Sequence, residues 1–275
     1  MTARRFQPGL VLMYLFLLIG AIIVLVPFFM ILVNSLKPMR EAALFRLTIS
    51  SNSMLDNYIT VLNKSFFLVG MKNSFIITAV AVFLINIFAA MSAFVIQRRA
   101  GRFSKFVYFL YFAGLIVPMS IIPTIKIMMQ THIHNTYAGI ILVQTAVNIP
   151  FSVFLLTGFM KSLPRELDEA AIIEGCSHVR LFTQIIVPLM VTPLVTCTIV
   201  NVTGIWNDFN APFYLISDSS KWPVVIGIYR FVTMYYTNWG LVFAFMMLVI
   251  APVVVFYICL QKYIMSGLTA GSLKG

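Results

Sequence analysis

ELDEAAIIEGCSHVRLFTQIIVPLMVTP, residues 166–193, opens with four acids in nine residues, in a chain that has eight Asp and Glu in all. Apolar runs flank it, so its acidity is concentrated where the sequence is otherwise greasiest. Working outward, runs free of Asp, Glu, Lys and Arg cover 127–160 before it and 181–207 after it. Four more cover 6–36, 73–97, 106–125 and 231–261. A helix crossing ~30 Å of hydrocarbon needs about 20 such residues, and all six runs reach that length.

The composition agrees. Of 275 residues 61% are hydrophobic and 10% charged, against about 25% charged in a soluble domain, and the mean hydropathy is +0.98. Backbone amides in lipid are satisfied only within a helix or a closed barrel, and barrel strands read as short alternating pieces, which these runs do not. The expectation is an all-α polytopic membrane protein, one domain over 1–275, with spans at about 10–33, 73–97, 106–126, 138–160, 181–205 and 239–261. The first run follows Arg4 and Arg5 as a secretory signal does. It is too long and lacks a small-residue cleavage site, so it is expected to stay as an anchor.

Orientation follows from Lys and Arg near the span ends. Arg4, Arg5, Arg98, Arg99, Arg102, Lys105, Lys161, Arg165, Arg180, Lys262 and Lys274 share one side, eleven against eight on the other. The tight turn QRRAGRFSK, 97–105, carries most of this bias. Both termini and the acidic segment are therefore expected in the cytoplasm. The net charge of +11 is accounted for by a basic cytoplasmic face on anionic lipid, and no nucleic acid is implied.

No catalytic pattern is present. There is no Gly-Lys dipeptide, hence no phosphate-cradling G-x-x-x-x-G-K-[ST] loop, so the chain is expected to bind no ATP and to be no enzyme. His132 and His134 form an H-x-H without a third ligand, and no metal is expected. Cys176, Cys197 and Cys259 form no disulfide framework. The six runs hold no charged side chain to couple ion movement to conformation, which argues against a secondary carrier. They do hold Asn148 and Asn201, then Gln144 and Asn86, with several prolines. Two readings of these amides stay open: glue between helices, or a path for a polar, uncharged solute, with aromatic stacking as a further mode of recognition.

Two segments fall outside the membrane on the far side. The first, about 37–72, carries DNYITVLNKSFF, 56–67, and reads as a short helix with turns. The second, 206–238, is rich in interfacial aromatics and contains a polar tip, Asp218, Ser219, Ser220 and Lys221, which reads as a projecting contact point.

The acidic stretch itself reads as a cytoplasmic helix over about 164–176. Pro164 suits a first helical turn, and Glu166, Asp168 and Glu169 complement the dipole there. Ala170 and Ala171 favour helix and leave a low face, and Gly175 permits a tight reversal. The order is Glu169, Ala170, Ala171, three residues, Gly175, nine residues, Ile185, one residue, Val187, Pro188.

This spacing resembles the E-A-A-x3-G-x9-I-x-L-P motif of the membrane subunits of binding-protein-dependent ABC importers, with Val187 in place of the usual Leu. WNDF at 206–209, DNY at 56–58, NS at 73–74 and the end GLTAGSLKG at 267–275 are similar to the carbohydrate-uptake subclass typified by the maltose transporter's G subunit. The resemblance covers nearly the whole chain. It implies the type I ABC importer permease fold in the inner (plasma) membrane of a prokaryote. It further implies a second homologous permease subunit, two ATPase subunits that carry ATP and Mg, an extracytoplasmic solute-binding protein, and a sugar as cargo. On this resemblance Glu169 meets a basic residue of the ATPase, Ala170 and Ala171 form the contact face, and Gly175 turns the chain back. The tail from Gly267 is expected to reach the ATPase pair. A permease for another small solute is the nearest alternative.

Overall fold

The computed structural model describes residues 8–49, 55–99, 101–232 and 237–272. Arg4, Arg5 and Lys274 lie outside these, and of the tail from Gly267 only the helical backbone to Ser272 is described. In chain order the helices are α1 (Pro8–Ser35), α2 (Met39–Ala42), α3 (Asp56–Leu62), α4 (Ser65–Arg98), α5 (Arg102–Ile116), α6 (Ile121–Gln130), α7 (Tyr137–Met160) and α8 (Glu166–Ile173). They are followed by α9 (His178–Arg180), a π turn over Leu181–Ile186, α10 (Val187–Leu189), α11 (Val191–Asn207), α12 (Asn210–Leu215), two short 3-10 turns and α13 (Trp239–Ser272). Among the described residues the only β pairing is an isolated bridge between Val232 and Thr237.

Among the described residues four helices are long and apolar enough to cross a membrane unaided: α1, α4, α7 and α13. Along α1 the described apolar side chains from Leu10 to Phe29 stay exposed, from 42% for Leu10 to 68% for Phe16, and only the last turns are covered, with Val33 buried. A helix that is apolar on every side and uncovered by protein has lipid as its solvent. The other two expected runs form shorter helices, with a proline at each break.

The run expected to cross at 106–126 divides into α5 and α6. Val117, which precedes Pro118, sits in extended conformation at φ −79°, ψ 115°, because the proline ring disfavours the helical conformation of the residue before it. The run expected at 181–205 is bent by 74° between His178–Leu189 and Val191–Asn207. Pro188 and Pro193 supply no backbone N–H, so two helical hydrogen bonds are missing around the bend. Met190 at the corner is fully buried, and its N–H reaches back to Ile186 O and Val187 O.

The chain divides into two compact units, Met1–Phe67 with Ile228–Ala251, and Leu68–Gly227 with Pro252–Gly275. The first is held by aromatic edges: Phe67 against Phe245 at 5.8 Å, Phe231 against the same ring at 5.3 Å, and Phe45 against Trp239 at 4.8 Å. The second has two core clusters. One gathers Ile77, Ala81 and Ile85 of α4 with Met128, Ile140 and Leu215. The other gathers Ala89, Ala90 and Ala93 of α4 with Val153, Leu156, Met160, Ala171, Leu181 and Met190. Small residues on α4 allow close helix approach where no hydrophobic drive separates protein from lipid. Gly114 meets the Pro150 ring so closely that a Cβ would lie 3.1 Å from it.

Candidate functional site

The acidic stretch forms α8, with Glu166, Asp168 and Glu169 in its first turn. Its end closes by two backbone bonds, Gly175 N–H to Ile172 O at 2.9 Å and Cys176 N–H to Ala171 O at 2.9 Å. That is the Schellman arrangement, which needs a left-handed residue, and Gly175 occupies it at φ 81°. Nothing lies within 4 Å of where a Cβ would sit, so conformation rather than space selects glycine. Ser177 then starts the next helix, its Oγ accepting from Arg180 N–H.

One side of α8 faces the protein. Asp168 is 9% and Ala171 6% exposed. Asp168 Oδ2 lies 2.6 Å from Nε of Arg98, the last residue of α4, and Arg98 Nη2 donates to Asp168 Oδ1 at 3.2 Å. The same guanidinium donates to the carbonyls of Leu163 and Pro164. Arg165 in turn donates to Gln97 O at 3.1 Å. The base of α8 is thus clamped to the end of α4 by charge-assisted bonds.

The opposite side of α8 is bare. Glu166, Glu169 and Ala170 are exposed, and Ile173 is 86% exposed. Positions 166, 169, 170 and 173 lie on one helical face. The expected pairing of Ala170 with Ala171 as a single contact face is corrected here: Ala171 belongs to the core, and Ile173 takes its place outside. Sequence reasoning missed the Arg98–Asp168 pair because its partners are 70 residues apart.

The intramembrane amides divide. Asn201 is 2% exposed and its Nδ2 donates to Ser152 Oγ at 2.9 Å. Gln144 is 4% exposed and donates to Asp208 Oδ2 at 2.6 Å. Asn148 donates to the Gln144 carbonyl of its own helix. These three are occupied within the chain. Asn86 donates to Thr198 Oγ1 at 2.7 Å, but its Oδ1 is buried with no partner. It lines a cavity of about 340 Å³ together with Phe75, Phe83, Trp206 and Phe256. Burial cuts across the order suggested by sequence, Asn148 and Asn201 ahead of Gln144 and Asn86: Asn201 and Gln144 are buried, whereas Asn148 and Asn86 are half-buried.

At the other end of α4 the polar tip is pinned rather than projecting, which corrects the sequence reading. Asn73, 2% exposed, donates both Nδ2 hydrogens, to Ser220 O at 2.9 Å and Trp222 O at 3.0 Å, and accepts from Tyr137 O–H at 2.8 Å. Ser74 Oγ accepts from Val224 N–H. Asn135, itself at φ 59°, accepts the N–H groups of Ser217 and Asp218 on its Oδ1. Lys221 Nζ lies 3.0 Å from Asn135 O and 3.2 Å from Asp218 Oδ2. The Ser220 hydroxyl and N–H, aided by Lys221, hold the Asp218 carboxyl down to a pKa of about 2. Ser219 and Ser220 remain exposed.

The first unit repeats the device. Asn57 Nδ2 donates to Ser35 O and Lys37 O, both at 2.9 Å, and Tyr58 shares a hydrogen bond with Ser35 at 2.6 Å. Lys37 is 2% exposed, its ammonium donating to Asn34 Oδ1 and Arg46 O. Burial lowers its pKa, partly offset by Glu41. The DNY and NS motifs are thereby explained: each supplies an asparagine that satisfies two loop carbonyls at once. Asp208 of WNDF likewise accepts from Gln144 and from Ala211 N–H at the start of α12.

Comparison with known proteins agrees with this geometry. Residues 85–269 match the family of the binding-protein-dependent transport system inner membrane component. A probable starch degradation products transport system permease of Thermoanaerobacterium thermosulfurigenes is 31% identical over 95% of this chain and 97% of its own. A melibiose/raffinose/stachyose import permease of Bacillus subtilis is 30% identical over 91% of each chain. In three dimensions, a chain of a bacterial ABC transporter involved in import of the acidic polysaccharide alginate superposes with a TM-score of 0.83 at 20% identity, over 96% of this chain and 99% of that one. The expected importer permease fold is therefore the observed one. This chain belongs to the family of binding-protein-dependent transport system inner membrane components, whose members are non-catalytic, membrane-spanning translocation subunits.

Proposed function

We propose that this chain is one of two permease subunits enclosing the path of an ATP-driven importer for a sugar or oligosaccharide. Relatives named for starch degradation products and for melibiose, raffinose and stachyose support the cargo class. So does a cavity lined by aromatic rings and Asn86, since rings stack on sugar faces and an amide side chain hydrogen-bonds hydroxyls. A second homologous permease would supply the remaining wall, and an extracytoplasmic binding protein would deliver the cargo to the pinned segment at Asp218, Ser219, Ser220 and Lys221.

The observation that carries the reading is the bare face of α8. An 86%-exposed isoleucine beside Glu166, Glu169 and Ala170, on a helix fixed by its other side, is a surface made for another protein. Each of two ATPase subunits, binding ATP and Mg, takes one such helix in this reading. Glu169 meets a basic group there, and both chain termini are cytoplasmic. Closure of the ATPases moves α8, and the Arg98–Asp168 clamp passes the movement into α4. The whole of 1–275 acts as one translocation domain.

The test is purification of the tagged chain from its native membrane in mild detergent, with mass spectrometry of what accompanies it. A second multi-span permease and a P-loop ATPase are expected, with ATP hydrolysis stimulated by binding protein and sugar. Glu169→Lys should release the ATPase while leaving the permease inserted. A chain that emerges alone and moves sugar in liposomes without ATP would make it a secondary carrier instead.

A further inference from the structure

The turn between α4 and α5 and the end of α7 bring four cations to one cavity of about 390 Å³: Arg99, Lys105, Lys161 and Arg165. No carboxylate lines it. Among the described residues the ion pairs are Arg98–Asp168 and Asp218–Lys221, so none of these four is neutralised. Like charges gathered without a counterion repel, and an anion is the missing component.

Two further features point to the same ligand. Thr157 lines the cavity at 3% exposure, and its Oγ1 is buried with no partner. Helix α5 also begins at the cavity. Its N-cap Gly101 offers no side-chain cap, so the first-turn N–H groups are left for an anion.

What kind of anion is settled next door. An apolar groove of about 290 Å³ adjoins the cavity, sharing Ile96 and Ser104 with it. Phe88, Val95 and Phe103 line the groove, with Phe103 75% exposed. A soluble phosphate needs only the basic half; a molecule with an anionic head and a hydrocarbon tail fits both.

We infer that this is a binding site for an anionic glycerophospholipid, its phosphodiester among the four cations and one acyl chain along the groove. The inference rests on the proposed orientation, which sets this face at the cytoplasmic leaflet. Basic pockets between helices on that side are suited to anionic headgroups. Lys161 ends α7 and Arg165 precedes α8, so the bound headgroup neutralises the two charges at the base of the proposed coupling helix.

The test uses the purified complex in nanodiscs of phosphatidylcholine, alone or mixed with phosphatidylglycerol, with retained lipid read by native mass spectrometry. The wild-type complex should retain phosphatidylglycerol. Lys105→Gln with Lys161→Gln should retain it roughly 30-fold less, as loss of two juxtamembrane charges gives, while Lys105→Arg with Lys161→Arg keeps it. Thr157→Val, which preserves shape, should weaken retention several-fold. Equal retention by the wild type and the Gln/Gln variant would overturn the site. So would headgroup-only glycerophosphoglycerol or inorganic phosphate binding as tightly as the lipid, which would assign the cavity to a soluble phosphate. The readout needs no transport: failed sugar uptake with lipid retained would sink the import reading alone.

Discussion

The two ends of α4 hold their neighbours by different chemistry. At Arg98 a charged pair and two carbonyl contacts clamp the base of α8, whose outer face is left bare. At Asn73 and Ser74 neutral side chains hold the segment 217–224 at several points along its backbone. About 37 Å of uninterrupted helix separates Asn73 from Arg98. A helix element gripped at its base can swing as a unit with its partner, whereas a loop bonded along its backbone cannot change shape without breaking several bonds. The difference suits a driven element at one end and a fixed docking platform at the other.

The largest effect is expected from breaking the charged clamp. Arg98→Ala leaves Asp168 mostly buried without its partner, and such losses cost about 3 kcal/mol or more. Sugar uptake in reconstituted vesicles should fall at least tenfold, and the reversed pair, Arg98→Asp with Asp168→Arg, should restore part of it. Recovery to no more than the single variants' level would show that the carbonyl contacts matter more than the ion pair.

Asn73→Ala comes next. It removes two donated bonds and leaves buried carbonyls, a loss of about 2 kcal/mol. Binding-protein-stimulated ATP hydrolysis should drop while basal hydrolysis stays. Asn73→Asp should be no better, because a carboxylate cannot donate to the Ser220 and Trp222 carbonyls. If both rates fell together, the comparison between a docking end and a driven end would be wrong.

Gly175→Ala should cost about 1 kcal/mol through its left-handed backbone. Thermal unfolding of the complex would report this as a small shift, with a larger loss of ATPase copurification because the return from α8 is disturbed. Gly240→Ala in the first unit offers the contrast of a steric glycine. There a Cβ would sit 2.7 Å from Lys37 O and 2.9 Å from Asn57 Nδ2, so the loss should exceed that at Gly175.

The smallest effect is the titration of Asp218. Its carboxyl is held below its usual 3.8, at about 2, by Ser220 and then Lys221. A depressed carboxylate stabilises above the unfolded pKa and loses that contribution as pH falls through the folded one. The pin should therefore be intact above pH 4 and weaken toward pH 2, seen as a carboxyl carbon shift with its midpoint near the lower value. A midpoint near 4 would mean the Ser220 bonds are not maintained in solution.

Much of this architecture was legible beforehand. The lengths of uncharged runs located α1, α4, α7 and α13, because crossing hydrocarbon is a requirement on composition that needs no tertiary information. Local chemistry was equally readable around Gly175, where a glycine after an alanine-rich acidic turn predicts a helix end. The breaks at Val117 and Met190 were less so: the prolines were visible, but whether a proline bends or ends a helix depends on what packs around it.

The functional amides show the limit most clearly. Asn86, Gln144, Asn148 and Asn201 are indistinguishable as letters in apolar runs, and only packing revealed that Gln144 and Asn201 bond to other elements while Asn86 keeps a buried acceptor without a partner. Ala170 and Ala171 were likewise equivalent by propensity until the rotation of α8 put one in the core. The sequence by itself determined that this chain spans a membrane as helices, since that follows from composition, and that its acidic loop resembles the motif of an importer subunit. Which face of α8 is bare, which amide is unsatisfied and which cations share a cavity were decided only in the tertiary structure. Each depends on residues tens of positions apart, such as Arg98 with Asp168, Asn73 with Trp222 and Lys105 with Lys161, that meet only when the helices pack.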